Sequence, residues 1–122
     1  AVILSVPAPN TRRPFKHVLV AGLEKAPRQV TKSMGKKKIL RRSKVKAFVK
    51  FINVSHIMPT RYNFPGNALL KVATPEQVDK ISLRKQVRFA LHHFFTRSYL
   101  TRENVNAKQQ ANHTYFFERL RF

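Results

Sequence analysis

The apolar positions of the chain change period along its length, and each change marks an element. Residues 1–6 (Ala1-Val2-Ile3-Leu4-Ser5-Val6) are an apolar run of strand length. Because a strand needs a partner, further sequence upstream of Ala1 is expected. Pro7, Pro9, Asn10 and Pro14 then break regular structure. From His17 to Leu23 the chain is continuously apolar, with Val18-Leu19-Val20-Ala21 at its centre and Gly22 behind. At that length it suits a strand buried on both faces better than a helix. Residues 24–35 are a polar connection holding Pro27 and Gly35, and residues 36–42 are ambiguous between a loop and a helical turn. Over 45–51 the odd positions are apolar (Val45, Ala47, Val49, Phe51). The even side carries Lys44, Lys46 and Lys50, interrupted by Phe48. A period of two puts the apolar set on one face and the lysines on the other, so a strand is predicted over 45–54. His56 to Tyr62 follows as an extended loop, Pro65-Gly66-Asn67 as a turn, and Ala68 to Ala73 as a last strand.

At Thr74 the period lengthens. Thr74 can cap a helix, Pro75 suits its first position and Gln77 completes a capping box. Val78, Ile81, Val87, Leu91, Phe94 and Phe95 recur at three- and four-residue spacing, which predicts one helix over about 75–99. Residues 101–114 are polar without periodicity, and the chain ends on the aromatic-basic run 115–122. The expected architecture is mostly β plus one long helix. Residues 1–73 would form a small barrel or curled sheet, 74–100 the C-terminal helix and 101–122 an extended tail.

Charge changes this picture most. The 122 residues carry 25 Lys+Arg against 5 Asp+Glu, a formal charge of +20. Eight of the fifteen residues from Lys36 to Lys50 are cationic, and no acid occurs between Lys25 and Pro75. Ordinary soluble faces mix both signs. A single-sign surface repels itself and is stabilised by a polyanion lying against it. At 43% hydrophobic the chain can still build a core, though one of its size buries only about two-thirds of its unfolded surface. These cations are therefore read as phosphate contacts on a nucleic acid. No helix-turn-helix, zinc finger or leucine zipper is visible, and the charges spread over loop, strand, helix and tail. That spread suits a wrap around folded RNA better than a groove reader. Tyr62, beside Arg61, is the strongest candidate for stacking on a base.

Other chemistries find little support. With no cysteine there is neither a disulfide framework nor a thiolate metal site. The five histidines lack metal-ligand spacing. The five carboxylates are scattered, and the three glycines are too far apart to cradle a phosphate. No apolar run approaches the roughly 20 residues of a membrane span. No catalytic residue, metal, cofactor, membrane or small-molecule substrate is expected.

Several tracts also carry a resemblance. These are His17-Val18-Leu19-Val20-Ala21-Gly22-Leu23, Pro27-Arg28-Gln29-Val30-Thr31, Met34-Gly35-Lys36-Lys37-Lys38-Ile39 and the block from Arg42 to Lys50. Asn53 and the run from His56 to Tyr62 continue the series. In that order they resemble the eukaryotic large-subunit ribosomal protein family twenty-seven, and residues 115–122 are similar to the family's Trp-Phe-Phe-Gln-Lys-Leu-Arg-Phe ending. The resemblance covers about residues 17–62 and the last eight. It implies an SH3-like barrel of the KOW type, followed by a helix and tail. It also implies a structural role in the large subunit of the cytoplasmic ribosome, with nucleolar assembly. Lys36, Lys37, Lys38, Arg41, Arg42, Lys44, Lys46 and Lys50 would then neutralise phosphates of large-subunit ribosomal RNA. Arg28, Lys32, Arg61 and Tyr62 would extend the contact, with Arg12, Arg13 and His56 beside them, and Arg119 and Arg121 would tether the tail. Residues 63–114 depart most from the family pattern, and the 87–99 helix face is a candidate contact for neighbouring ribosomal proteins. Two other classes are weighed against this one. The first is a non-ribosomal SH3-like nucleic-acid-binding module in transcription or chromatin. The second is a cationic membrane-surface protein using 75–99 as an amphipathic helix, although docking on the barrel explains that helix's apolar stripe better.

Overall fold

The longest apolar run becomes the central strand. The computed structural model describes residues 1–64, 67–101 and 106–120. In it β2 (His17–Lys25) lies between β1 (Val2–Ser5) and β3 (Lys46–Asn53) in an antiparallel sheet. The six residues from His17 to Gly22 are all buried, so this strand is covered on both faces. In β3 the alternation holds: Ala47 and Val49 are buried while Lys46 and Lys50 are exposed. A bulge between Ile3 and Ser5 makes Leu4 the extra residue of β1, and Leu4 joins the core. Gly22 pairs with Phe48, and a Cβ at Gly22 would sit 2.9 Å from the Phe48 ring. The absent side chain is what lets that ring lie across β2.

The α-helices are α1 (Lys36–Ser43), α2 (Asn67–Val72), α3 (Pro75–Asp79), α4 (Ile81–Leu100) and α5 (Ala107–Phe117). Of these, α2, α3 and α4 supply the core that covers the inner face of the sheet. Val87, Leu91 and Phe95 of α4 recur every four residues and enter the core with Leu19, Ala21, Val45, Ala47 and Val49. Leu69, Ala73 and Val78 close the same cluster. With three strands and five helices among the described residues, the unit is mixed α/β rather than mostly β, and its sheet is open there.

Three local expectations are corrected, and one left open is settled. Residues 68–73 are not a strand: Leu69 and Ala73 share the buried side of α2 at helical spacing, and the Ala73 N–H donates to the Leu69 carbonyl. Ala and Leu are strong helix formers, and a short apolar run does not reveal its period. The ambiguous 36–42 stretch is helical. The helix expected over 75–99 is interrupted at Lys80, which is extended between α3 and α4, with Arg84 Nε donating to the Val78 carbonyl across the break (2.9 Å). The expected extended tail contains α5, whose His113 donates from Nε2 to the Ser98 carbonyl (2.9 Å). Phe116 of α5 packs on Phe64 and Phe95, with ring centroids 4.5 and 5.2 Å away. The turn expected at Pro65-Gly66 lies outside the described residues.

The break at Lys80 places Asp79 where the 10–13 turn can reach it. The Arg13 N–H donates to the Asn10 carbonyl and side chain, which fixes the turn. Arg13 then hydrogen-bonds Asp79 Oδ1 at 2.8 Å and lies 4.1 Å over the Phe51 ring. Phe51 in turn meets the buried His17 edge-on at 5.5 Å. The Arg13 hydrogen bond, helped by the charges of Arg13, Arg12 and Arg84, holds the Asp79 carboxyl below its ordinary pKa.

Two predictions follow from this packing. Gly22→Val should cost about 1–3 kcal/mol by forcing the Phe48 ring away, read as a lower denaturation midpoint at unchanged m-value. For Asp79, the folded pKa is depressed. Its stabilising contribution is therefore complete above the ordinary Asp value of about 3.9 and is lost as pH falls through the lower folded value. Thermal midpoints should hold from pH 7 to 5 and drop below about pH 4. Asp79→Asn should lower the neutral-pH midpoint and flatten that acid limb.

Candidate nucleic-acid interface

Helix α1 stands away from the core. None of its residues is buried, Leu40 is 73% exposed, and Lys36, Lys37 and Lys38 fill its first turn without an acid. Cations there oppose the positive end of the helix dipole. Lys37/Arg41 and Lys38/Arg42 add like-charge pairs at i,i+4, each unfavourable by roughly 0.2–0.5 kcal/mol. Eight residues are also few for a helix in isolation. Its support comes from the preceding connection. Arg42 Nε donates to the Gln29 carbonyl (2.8 Å), and the Arg28 N–H donates to the Arg42 carbonyl (2.8 Å). The Gly35 carbonyl accepts from the N–H groups of Lys38 and Ile39.

Beside this clasp lies an open hollow of about 540 Å³ lined by Lys25, Arg28, Lys37, Lys38, Arg41 and Arg42. All six lining side chains are cationic, which makes it a cradle for phosphate-like anions. Five of them stand in the predicted contact set. Lys25 does not, because only the cross-strand register that sets it opposite Lys46 brings the end of β2 here. Glu24, the neighbour of Lys25 in sequence, lines the adjoining cleft but not this hollow. Glu24 accepts from Lys46 Nζ at 2.6 Å and lies 3.9 Å from Arg88. The Lys46 hydrogen bond and both charges hold its carboxyl below the ordinary pKa.

A larger cleft of about 1130 Å³ adjoins the cradle and shares Lys25, Arg28 and Arg42 with it. His56, Tyr62 and Arg119 line this cleft. Tyr62 stacks on Tyr115 (centroids 4.1 Å apart, planes 17° apart), and Arg61 lies 5.6 Å from the Tyr62 ring. The remaining predicted contacts fall elsewhere. Lys32, Lys36, Lys44 and Lys50 are exposed but line neither hollow. Lys46 is engaged with Glu24, Arg13 is the latch on Asp79, and Arg12 is exposed 3.7 Å from the same carboxylate. Arg121 lies outside the described residues. Among the described residues no group of three or more His, Cys, Asp or Glu could hold a metal ion, and no helix is long and apolar enough to cross a membrane.

The chain is a small α/β domain with an all-cationic hollow and five times as many cations as acids, and comparison with known proteins places it among ribosomal proteins. The model described as the Ribosomal L27e protein family matches residues 1–122, and the chain belongs to that family. The chain is similar to large ribosomal subunit protein eL27 of Tetrahymena thermophila, with 42% identity over 125 residues, covering 100% of this chain and 85% of that protein. Its counterpart in Dictyostelium discoideum is 38% identical, covering 90% of this chain and 74% of that protein. Large ribosomal subunit protein eL27B of Schizosaccharomyces pombe is 36% identical, covering 99% and 82%.

Because Lys37, Lys38 and Arg41 are exposed, replacing all three with Gln should shift stability by no more than about 0.5 kcal/mol per site. The same change should reduce the slope of log affinity against log salt for a polyanion by about 2–3. Circular dichroism melts and a salt titration on heparin or RNA measure both quantities.

Proposed function

We propose that the chain is a non-catalytic structural constituent of the large ribosomal subunit that binds its ribosomal RNA through the cradle at α1. The observation that carries this reading is the hollow lined by six cations and no acid. A ribosomal protein with such a face needs phosphate to offset its own repulsion, and RNA is the polyanion of that particle. The family relationship favours this reading over a free module in transcription or chromatin. Membership of a eukaryotic ribosomal family supports a cytoplasmic ribosome with assembly in the nucleolus. Lys32, Lys36, Lys44 and Lys50 extend the contact from exposed positions, and Arg119 and Arg121 tether the C-terminal segment. His56 and Tyr62 add contacts from the adjoining cleft with Arg61 beside Tyr62, and Arg12 adds one from its separate place near Asp79.

The open sheet is read as part of an SH3-like barrel, supported by the double-sided burial of β2 and the bulge that bends β1. Residues 1–73 are the sheet-bearing unit, 74–100 the helical layer docked on it and 101–122 the RNA-facing segment. The 87–99 stretch presents Phe89, 67% exposed, and His93 to a neighbouring ribosomal protein.

The salt dependence of binding tests the RNA reading. With about 6–10 phosphates engaged, affinity for large-subunit RNA should fall roughly 10³- to 10⁵-fold between 50 and 200 mM salt. A flat response would sink it.

A further inference from the structure

The cradle and the larger cleft share one wall, made by Lys25, Arg28 and Arg42. On one side of that wall the lining is entirely cationic. On the other it includes the stacked rings of Tyr62 and Tyr115, the side-chain amides of Asn63 and Asn112, and two carboxylates, Glu118 and the Lys46-paired Glu24. The cleft exceeds the roughly 300–1,000 Å³ typical of small-ligand pockets. A nucleotide is the ligand whose two ends differ in this same way. Its phosphate is an anion, and its base is a flat ring with a hydrogen-bonding edge.

We propose that the cleft receives one unstacked nucleotide of RNA, its base on the tyrosine pair and its flanking phosphates on the cradle. This rests on the RNA reading above and goes beyond phosphate contact. Tyr62 is 39% exposed, so the pair is not sealed in the core. Both rings of the pair line the cleft, where they offer a base the kind of aromatic surface on which unpaired bases stack. Arg61 lies 5.6 Å from the Tyr62 ring but outside the cleft lining, and adds positive charge beside it. Asn63 and Asn112 each offer a donor pair and an acceptor to the edge of the base.

The full chain is mixed with an RNA duplex carrying one bulged 2-aminopurine, and separately with the fully paired duplex. The bulged RNA should bind more tightly, and the fluorescence of its 2-aminopurine should change on binding. Tyr62→Leu should cost about 5- to 100-fold in affinity for the bulged RNA and abolish the fluorescence change, leaving the salt slope intact. Tyr62→Phe should keep both. Circular dichroism checks that each variant remains folded. Equal affinity for the two duplexes with no fluorescence change, at a steep salt slope, overturns the cleft assignment and leaves the phosphate reading standing. A flat salt slope removes both. A protein segment seated in the cleft of the assembled subunit also overturns the assignment.

Discussion

Strand β2 has no solvent side over its first six residues, and the rest of the molecule is arranged by the need to cover both of its faces. The inner face takes α4, with α2 and α3 filling the gap beside it. On the outer face the Phe48 ring crosses at Gly22, where no Cβ stands in its way. A chain with 25 cations and 5 acids has few polar groups it can hide, because a buried charge without a partner is prohibitively costly. The cations are therefore driven to the rim of the sheet and to α1. The scarce acids are placed with economy. Asp79 latches the 10–13 turn to α3, and Glu24 ties β2 to β3 and α4. Both staple the fold and neither enters the cradle, which keeps the cradle's charge unbalanced.

That imbalance links fold to function. Helix α1 buries nothing, carries repelling neighbours and is held chiefly by the 28–29 connection. Such a helix gains most from an anion, since phosphate removes the repulsion that opposes it. Arg42 has two roles. Its Nε clasps Gln29, while its side chain stands on the wall between the cationic hollow and the aromatic cleft.

The sheet was legible because its strands have strong periods: β2 as a continuous apolar run, β3 as alternation with lysines outward. The helices were less so. α2 spans six residues, too few to show whether Leu69 and Ala73 lie on a pleat or a turn. The break at Lys80 has no Gly or Pro to announce it, and it coincides with a long-range contact, Asp79 to Arg13 across 66 residues, that a local pattern does not show. α5 was hidden by polar composition, although its Ala, Lys and Gln residues are good helix formers. At the candidate interface, the α1 cations were legible as a charge run. Lys25 was not, because register places it. Nor was the diversion of Arg13 and Lys46 into ion pairs, because a sequence shows charges without showing which already have partners.

The most direct test is the structure of a large ribosomal subunit containing this chain. The account predicts RNA phosphate oxygens within about 4 Å, ion-pair distance, of the Lys37, Lys38 and Arg41 side chains, with the backbone seated in the hollow that Arg28 and Arg42 line. A hollow that faces solvent or an acidic protein segment, with the RNA on another side of the domain, would contradict it.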